Sequence, residues 1–293
     1  MATSDNVAVA AADLVSRPLA EKVHHLRSMI QDYESLVVAY SGGVDSAYLM
    51  SVAHDVLGGR AIAVTAKSPS LPASELTDAT ALANRLEWQH RVIETQEVLD
   101  PRYAANDVRR CYFCKTSLYS RLEELFPSSE WAAIANGTNV DDLGDYRPGL
   151  EAASERRVRS PMVHAGLTKT DIRTLSRADG LPIWDKPAQA CLSSRIPYGT
   201  PVTIETLSQI EAAEAALRDL GLRQLRVRHN GRTARIEVPE EDIVAIVVPE
   251  MREAIVSRLR EVGYTYVTLD LAGYRSGSLN EGIAGVKGSN GTV

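Results

Sequence analysis

The stretch that most constrains the fold runs Leu36-Val-Val-Ala-Tyr-Ser-Gly-Gly-Val-Asp-Ser46 and continues into Ala47-Tyr-Leu-Met50. An apolar, β-branched run meets Ser-Gly-Gly and then a helical pattern, which predicts a buried strand, a tight turn and a helix N-terminus. Such a turn aims backbone N–H groups forward, and the helix dipole adds positive potential, so the place favours an anion, above all a phosphate. Gly42 and Gly43 allow positive φ and close approach of a ligand, while Ser41 and Ser46 offer hydroxyls. Asp45 repels phosphate unless a cation lies between, so it is expected to bind Mg²⁺. No Gly-Lys-Ser/Thr follows, so this is not a Walker A loop. The alternative is a Gly-Gly turn in an unrelated α/β protein.

Ser-Gly-Gly-Val-Asp-Ser after a hydrophobic strand resembles the PP-loop of the ATP pyrophosphatase superfamily. That resemblance implies ATP binding, with cleavage to AMP and pyrophosphate as a substrate is adenylated. Further strands are expected at Ala61–Ala66, His90–Ile93 and Ala132–Ala135, with helices over 45–57 and 73–86. Strand and helix alternate, so the fold class is α/β, a parallel doubly wound sheet with helices on both faces. Ligands of such sheets sit beyond the carboxyl ends of the strands. Ser41–Ser46, Thr65–Ser68 and Gly137–Gly149 meet that rule, which makes Thr65 a candidate nucleotide contact. The last of these loops holds Asp141, Asp142, Asp145 and Arg147. Asp141 or Asp142 would help to hold Mg²⁺ and Arg147 would neutralise pyrophosphate; a solvated turn is the other reading. Thr168 to Gly180 reads as a helix whose features are all structural.

The chain has 293 residues, room for roughly two domains. The expected division is an N-terminal stretch 1–17 without order, a PP-loop domain 18–187, a small α+β domain 188–281 and a mobile tail 282–293. In the second domain, Pro201 to Leu220 reads as an amphipathic helix with Glu214 inside its apolar arc. A carboxylate in that position needs a partner or a chemical role. It could be a general base, a metal ligand, or a residue at the edge of the stripe reaching water. Gln224 to Arg228 alternates, His229-Asn-Gly-Arg232 is a hairpin turn, and Thr233 to Val238 returns. Arg226, Arg228 and Arg235 then share a face, which fits a substrate phosphate or an ordinary exposed sheet surface. A net charge of −6 argues against broad binding of nucleic acid. No apolar run approaches the ~20 residues of a membrane span, and the start lacks a basic n-region, so a cytoplasmic protein is expected.

Cys111-Tyr-Phe-Cys114 and Cys191 are the only cysteines, and in a reducing compartment they are expected as thiols or metal ligands. Spacing leaves three choices open: a 4Fe–4S cluster with one open iron, a zinc site lacking a defined fourth ligand, or redox thiols. Taken in order, Ser-Gly-Gly-Val-Asp-Ser, the segments 137–150, 191–200 and 226–240, and Thr268 to Ser278 resemble the LarE family, the sulfur transferases of nickel-pincer nucleotide synthesis. The resemblance covers about residues 18 to 280. It implies adenylation, in turn, of both carboxylates of a pyridinium biscarboxylate mononucleotide, followed by conversion to thiocarboxylates. It also implies a small nucleotide substrate, a sulfide or sulfur donor, no nucleic-acid or membrane partner, and a homo-oligomer. Family members with one relevant cysteine surrender its sulfur, whereas those with an added Cys-x-x-Cys resemble cluster-bearing forms. This chain departs from the one-cysteine pattern, so Cys111, Cys114 and Cys191 are expected to bind the cluster. By the same resemblance Arg195, Arg226 and Arg228 grip the substrate phosphate, and Cys191 and Glu214 are catalytic. The rival reading is a cluster-dependent tRNA thiolase or a non-catalytic ATP- or zinc-binding module.

Overall fold

The structure, a computed structural model, describes residues 16–144 and 148–275. Arg147, Asp145, most of the expected N-terminal stretch and the whole tail 282–293 lie outside the described residues. The described residues form two units, one of 16–68, 73–96, 111–144 and 148–189, the other of 69–72, 97–110 and 190–275. The second thus takes two short segments that a contiguous boundary near residue 188 leaves in the first.

In the first unit the longer elements are α1 (Arg17–Asp32), β1 (Leu36–Ala39), α2 (Val44–Leu57), β2 (Ala61–Lys67), α3 (Ala73–Arg85) and β3 (His90–Glu94). They are followed by α4 (Arg110–Leu125), which begins at the unit boundary, β4 (Ala133–Asn136), α5 (Pro148–Glu155) and α6 (Lys169–Ala178). The sheet is parallel throughout in the order β3-β2-β1-β4. β1 buries both faces: Leu36 and Val38 join a core with α1, α2 and α6, while Val37 joins a second core with α4 and Phe126. That is why this strand reads as a continuous apolar run. The chain leaves β1 toward β2 and β3, then returns to add β4 on the other side. The switch point between β1 and β4 opens a crevice at their carboxyl ends, and the Ser-Gly-Gly turn sits there. α6 starts with a full capping box between Thr168 and Asp171, as its sequence requires.

The second unit holds α7 (Ile204–Asp219), the hairpin β5 (Arg226–Asn230) and β6 (Thr233–Glu237), α8 (Pro249–Glu261) and β7 (Tyr266–Leu269). β6 pairs antiparallel with β5 and parallel with β7, which gives a small mixed sheet. Ala213 and Leu217 of α7 pack on Val227, Ala234 and Ile236 of the hairpin and on Ile255 and Leu259 of α8.

Candidate functional site

The turn between β1 and α2 is held by its own serines. Ser46 Oγ accepts from Ser41 N at 3.1 Å and donates to Gly43 O at 3.1 Å; Ser41 Oγ lies 3.1 Å from Ser46 Oγ. Both hydroxyls therefore shape the turn in this state. Gly42 has φ +77°, and an added Cβ would lie 2.9 Å from Ala79 Cβ, so this position admits only glycine without strain. Gly43 caps α2 with no side-chain hydrogen bond, which leaves the first-turn N–H groups to a ligand or water.

Asp45 points one carboxylate oxygen, Oδ2, at the Lys169 ammonium of α6. The other, Oδ1, is buried without a hydrogen-bond partner. Burial pushes the Asp45 carboxyl above its ordinary value; the Lys169 hydrogen bond and charge pull it back, and the nearby Asp142 carboxylate pushes it up again. A buried carboxylate oxygen with no donor, beside a second carboxylate, suits a hard divalent cation, so the residues present fit Mg²⁺. The structure thus brings Asp45 and Asp142 into one electrostatic neighbourhood. It adds Lys169, which the sequence did not single out; its position at the start of a capped helix gave a structural reason for every neighbour and hid its reach. Asp141 Oδ2 accepts from Lys169 N at 2.8 Å, which ties the acidic loop to the same helix start.

Thr65 is placed differently from expectation. Its buried hydroxyl donates to Tyr40 O at 2.9 Å and lies 2.9 Å from His90 Nε2. One hydroxyl hydrogen serves one acceptor, so His90 donates from Nε2. Burial holds His90 below its ordinary value, in keeping with a neutral ring. The Thr65 side chain thus joins the segment after β1 to the start of β3.

Cys111 is exposed and Cys114 half-buried, at i and i+3 in α4, and Cys191 is half-buried in the second unit; all three are thiols. The i, i+3 spacing sets the first pair on one helix face, which fits two thiolate ligands of one centre. Among the described residues no group of three or more His, Cys, Asp or Glu side chains is placed to hold a metal ion.

In the second unit Arg195, Arg226 and Arg228 are buried, whereas Arg235 is partly exposed. Arg195 is 1% exposed, Arg226 7% and Arg228 4%, which removes the reading of an exposed sheet face. Glu214, wholly buried, takes Arg195 Nε at 2.8 Å and Nη2 at 3.2 Å, Arg218 Nη2 at 3.1 Å and Val227 N at 3.1 Å. It does not reach water, and both of its oxygens are committed to this unit. Glu237 takes Arg228 Nε and Nη2, each at 2.9 Å, and Arg235 Nη2 at 3.1 Å. Arg226 differs: it stacks 4.4 Å from the Tyr274 ring centroid and donates to Tyr274 Oη at 2.8 Å. Among the described residues no carboxylate lies within ion-pair distance of it. Burial lowers its affinity for a proton; Tyr274 and, more weakly, the Glu237 carboxylate oppose that shift, while Arg228 and Arg195 add to it. A buried cation with no carboxylate hydrogen-bonded to it has room for an anionic ligand.

A family model described as NAD synthase matches residues 19–122, the span that holds the Ser-Gly-Gly turn. An uncharacterized protein of Synechocystis sp. is 46% identical over 262 residues, 89% of this chain and 98% of its own. The pyridinium-3,5-bisthiocarboxylic acid mononucleotide synthase of Lactiplantibacillus plantarum is 38% identical over 264 residues, 90% of this chain and 95% of its own. A tRNA-specific 2-thiouridylase of Azorhizobium caulinodans is 28% identical over 219 residues, 61% of this chain and 55% of its own.

Proposed function

The chain belongs to the LarE family of sulfur transferases, within the PP-loop superfamily, and from that premise we propose that it converts the carboxylates of pyridinium-3,5-biscarboxylic acid mononucleotide to thiocarboxylates at the expense of ATP. The observation that carries this reading is the 38% identity to the bisthiocarboxylate synthase along nearly the full length of both chains. The Ser-Gly-Gly turn at the sheet's switch point supplies the matching chemistry.

A carboxylate is a poor electrophile, and joining it to AMP supplies a good leaving group. The substrate carboxylate oxygen attacks the α-phosphorus of ATP and pyrophosphate departs. Backbone N–H groups of the first turn of α2, from Val44 to Ser46, take the charge that moves onto pyrophosphate, with Lys169 as a cation beside them. Asp45, with Asp142, would hold Mg²⁺, which neutralises phosphate oxygens. Arg147, outside the described residues, is proposed as a further pyrophosphate ligand. A sulfur nucleophile then adds to the acyl carbon, AMP leaves, and a C–S bond replaces the C–O bond. Arg226 is the proposed ligand of the substrate's phosphate, and Cys191 is proposed to act where sulfur is transferred.

Cys111, Cys114 and Cys191 are the proposed holders of a 4Fe–4S cluster. Bound, it would leave one iron open to present added sulfide. Iron and acid-labile sulfide in anaerobically prepared protein, absent from Cys111→Ala, support that assignment; stoichiometric zinc in their place overturns it. Assembly as a homo-oligomer and a cytoplasmic location belong to the same reading; among the described residues no helix is long and apolar enough to cross a membrane.

The deciding experiment incubates the protein with ATP, Mg²⁺, sulfide and the biscarboxylate mononucleotide. AMP, pyrophosphate and a product mass reporting exchange of oxygen for sulfur are expected. ADP as the nucleotide product refutes adenylation, and turnover on tRNA with none on the mononucleotide refutes the substrate.

A further inference from the structure

The start of α6 is anchored from several sides within the first unit. Thr168 and Asp171 close the capping box, Lys22 Nζ of α1 donates to Asp171 Oδ2 at 2.7 Å, and Lys169 N donates to Asp141 Oδ2 at 2.8 Å. The Lys169 backbone is therefore fixed, while its ammonium sits at the end of a flexible, partly exposed stem against Asp45 Oδ2. Asp45 is served unequally by this contact. Oδ2 has the ammonium, and Oδ1 is buried with no hydrogen-bond partner. A carboxylate whose permanent partner was a lysine would not leave a buried oxygen bare, because an unsatisfied buried acceptor is costly.

The charges acting on Asp45 lead to the same point. Asp142 is a second carboxylate, and Lys169 and Arg173 are the cations. Two negative and two positive groups leave the empty site near neutrality. A divalent cation arriving alone would add two positive charges to that balance in a partly buried place, where like charges repel more strongly than in water. A triphosphate arriving with the metal supplies the missing negative charge. Of the two cations, Arg173 is tied by Nη2 to Lys186 O at 3.0 Å. Lys169 carries a compact point charge that exchanges one anion for another without a fixed fork geometry.

We infer that Lys169 is a displaceable counter-ion: it holds Asp45 while the turn is empty, keeps a free divalent cation off that carboxylate, and passes its ammonium to nucleotide phosphate when the metal arrives with ATP. Metal and nucleotide are thereby admitted as a pair, since each makes room for the other through one side chain, and the coupling is reciprocal. The inference rests on the reading of Asp45 as a Mg²⁺ ligand beside an ATP-binding turn, and adds to it the means by which the empty turn refuses bare metal.

The test uses the full-length protein and compares wild type with Lys169→Gln and Lys169→Met. The first readout is the affinity of the nucleotide-free protein for Mn²⁺, a spectroscopic substitute for Mg²⁺, by electron paramagnetic resonance. The second is the affinity for α,β-methylene-ATP in EDTA, by calorimetry. Both variants are expected to bind Mn²⁺ about fivefold or more tighter than wild type and the metal-free analogue about fivefold or more weaker. Opposite signs are the mark of a cation shared between two anions; a lysine that only shapes the start of α6 moves both affinities in one direction or neither. Asp45→Asn combined with Lys169→Gln is expected to abolish the tighter Mn²⁺ binding. Affinities that move together, or tighter Mn²⁺ binding that survives without the Asp45 carboxylate, overturn the inference alone. Wild type that binds no analogue even with Mg²⁺ refutes the ATP reading of the turn and the inference with it.

Discussion

Gly137→Ala is the sharpest single perturbation of the nucleotide turn. Gly137 follows β4 at the switch point, and a methyl group there would lie 2.7 Å from Ser46 N, 2.9 Å from Ser46 Cα and 3.1 Å from the Asp45 carbonyl carbon. All three are backbone atoms in the first turn of α2, so no flexible side chain can yield. Gly137 is not among the residues with positive φ; alanine suits its conformation, and the conflict is contact alone. Ordinary contact begins at 3.4 Å, so β4 or the start of α2 must move. Overpacking of this kind costs about 1–3 kcal/mol. A displacement near 1 Å in a positioning element costs about 10²-fold in rate. Urea unfolding is expected to show that loss as a lower midpoint with an unchanged slope. Pyrophosphate release in the presence of the biscarboxylate substrate is expected to fall by about 10–100-fold. Gly144→Ala is the control, since its added methyl meets nothing within 4 Å. A Gly137→Ala protein as stable and as active as Gly144→Ala refutes the reasoning.

Burial raises the Asp45 carboxyl above its ordinary 3.8, so its contribution to stability is full below that value and is lost as pH rises through the folded-state value. Asp45→Asn should therefore melt at or above the wild-type temperature at neutral pH, converge with it on acidification, and fail to turn over ATP; a lower melting temperature at neutral pH contradicts the burial argument. Glu214→Ala strips Arg195 of its two-pronged partner and Val227 N of its acceptor, with an expected loss of about 3–5 kcal/mol in denaturant titration. Arg226→Met removes a buried cation that has no carboxylate partner among the described residues while keeping much of the stem; the ligand-free protein should be unchanged or more stable by about 1–4 kcal/mol, with mononucleotide binding lost in calorimetry. Thr168→Ala breaks the capping box of α6 and should cost about 1 kcal/mol by the same unfolding assay.

The parallel sheet was legible because its strands are short apolar runs bounded by turns, and the phosphate turn was legible because six adjacent residues carry it. Lys169 was not, since an ion pair to Asp45 joins residues far apart in sequence and leaves no periodic trace. The hairpin misled in a specific way. Alternation at Arg226, Val227 and Arg228 predicts one polar face, and side chains do alternate, but the strand buries both faces through His229. For Arg228 the cause is Glu237 on the neighbouring strand, and Arg226 is covered by the Tyr274 ring. Likewise Glu214 inside the apolar stripe was readable as a carboxylate that needs a partner, though the identity of Arg195, Arg218 and Val227 N as partners was not. Asn106 and Arg110, which bond carbonyls of the 193–200 loop, and Tyr103, which meets Ser193 Oγ, gave no signal, because such contacts obey no spacing.

The two units meet negative charge by different physical means. In the first, the turn offers backbone N–H groups, which carry no net charge and cost little to hold in place when no anion is bound. Asp45 and Lys169 meanwhile neutralise each other beside it. In the second, fixed cations are buried, and a buried cation is costly unless paired. Arg195 and Arg228 have that pairing. Arg226 lacks it among the described residues, and the cost shows as a guanidinium whose hold on its proton is weakened. Carboxylates thus hydrogen-bond two of the three arginines and act on Arg226 only at longer range, through Glu237, so what separates the three is the distribution of carboxylates rather than the number of arginines.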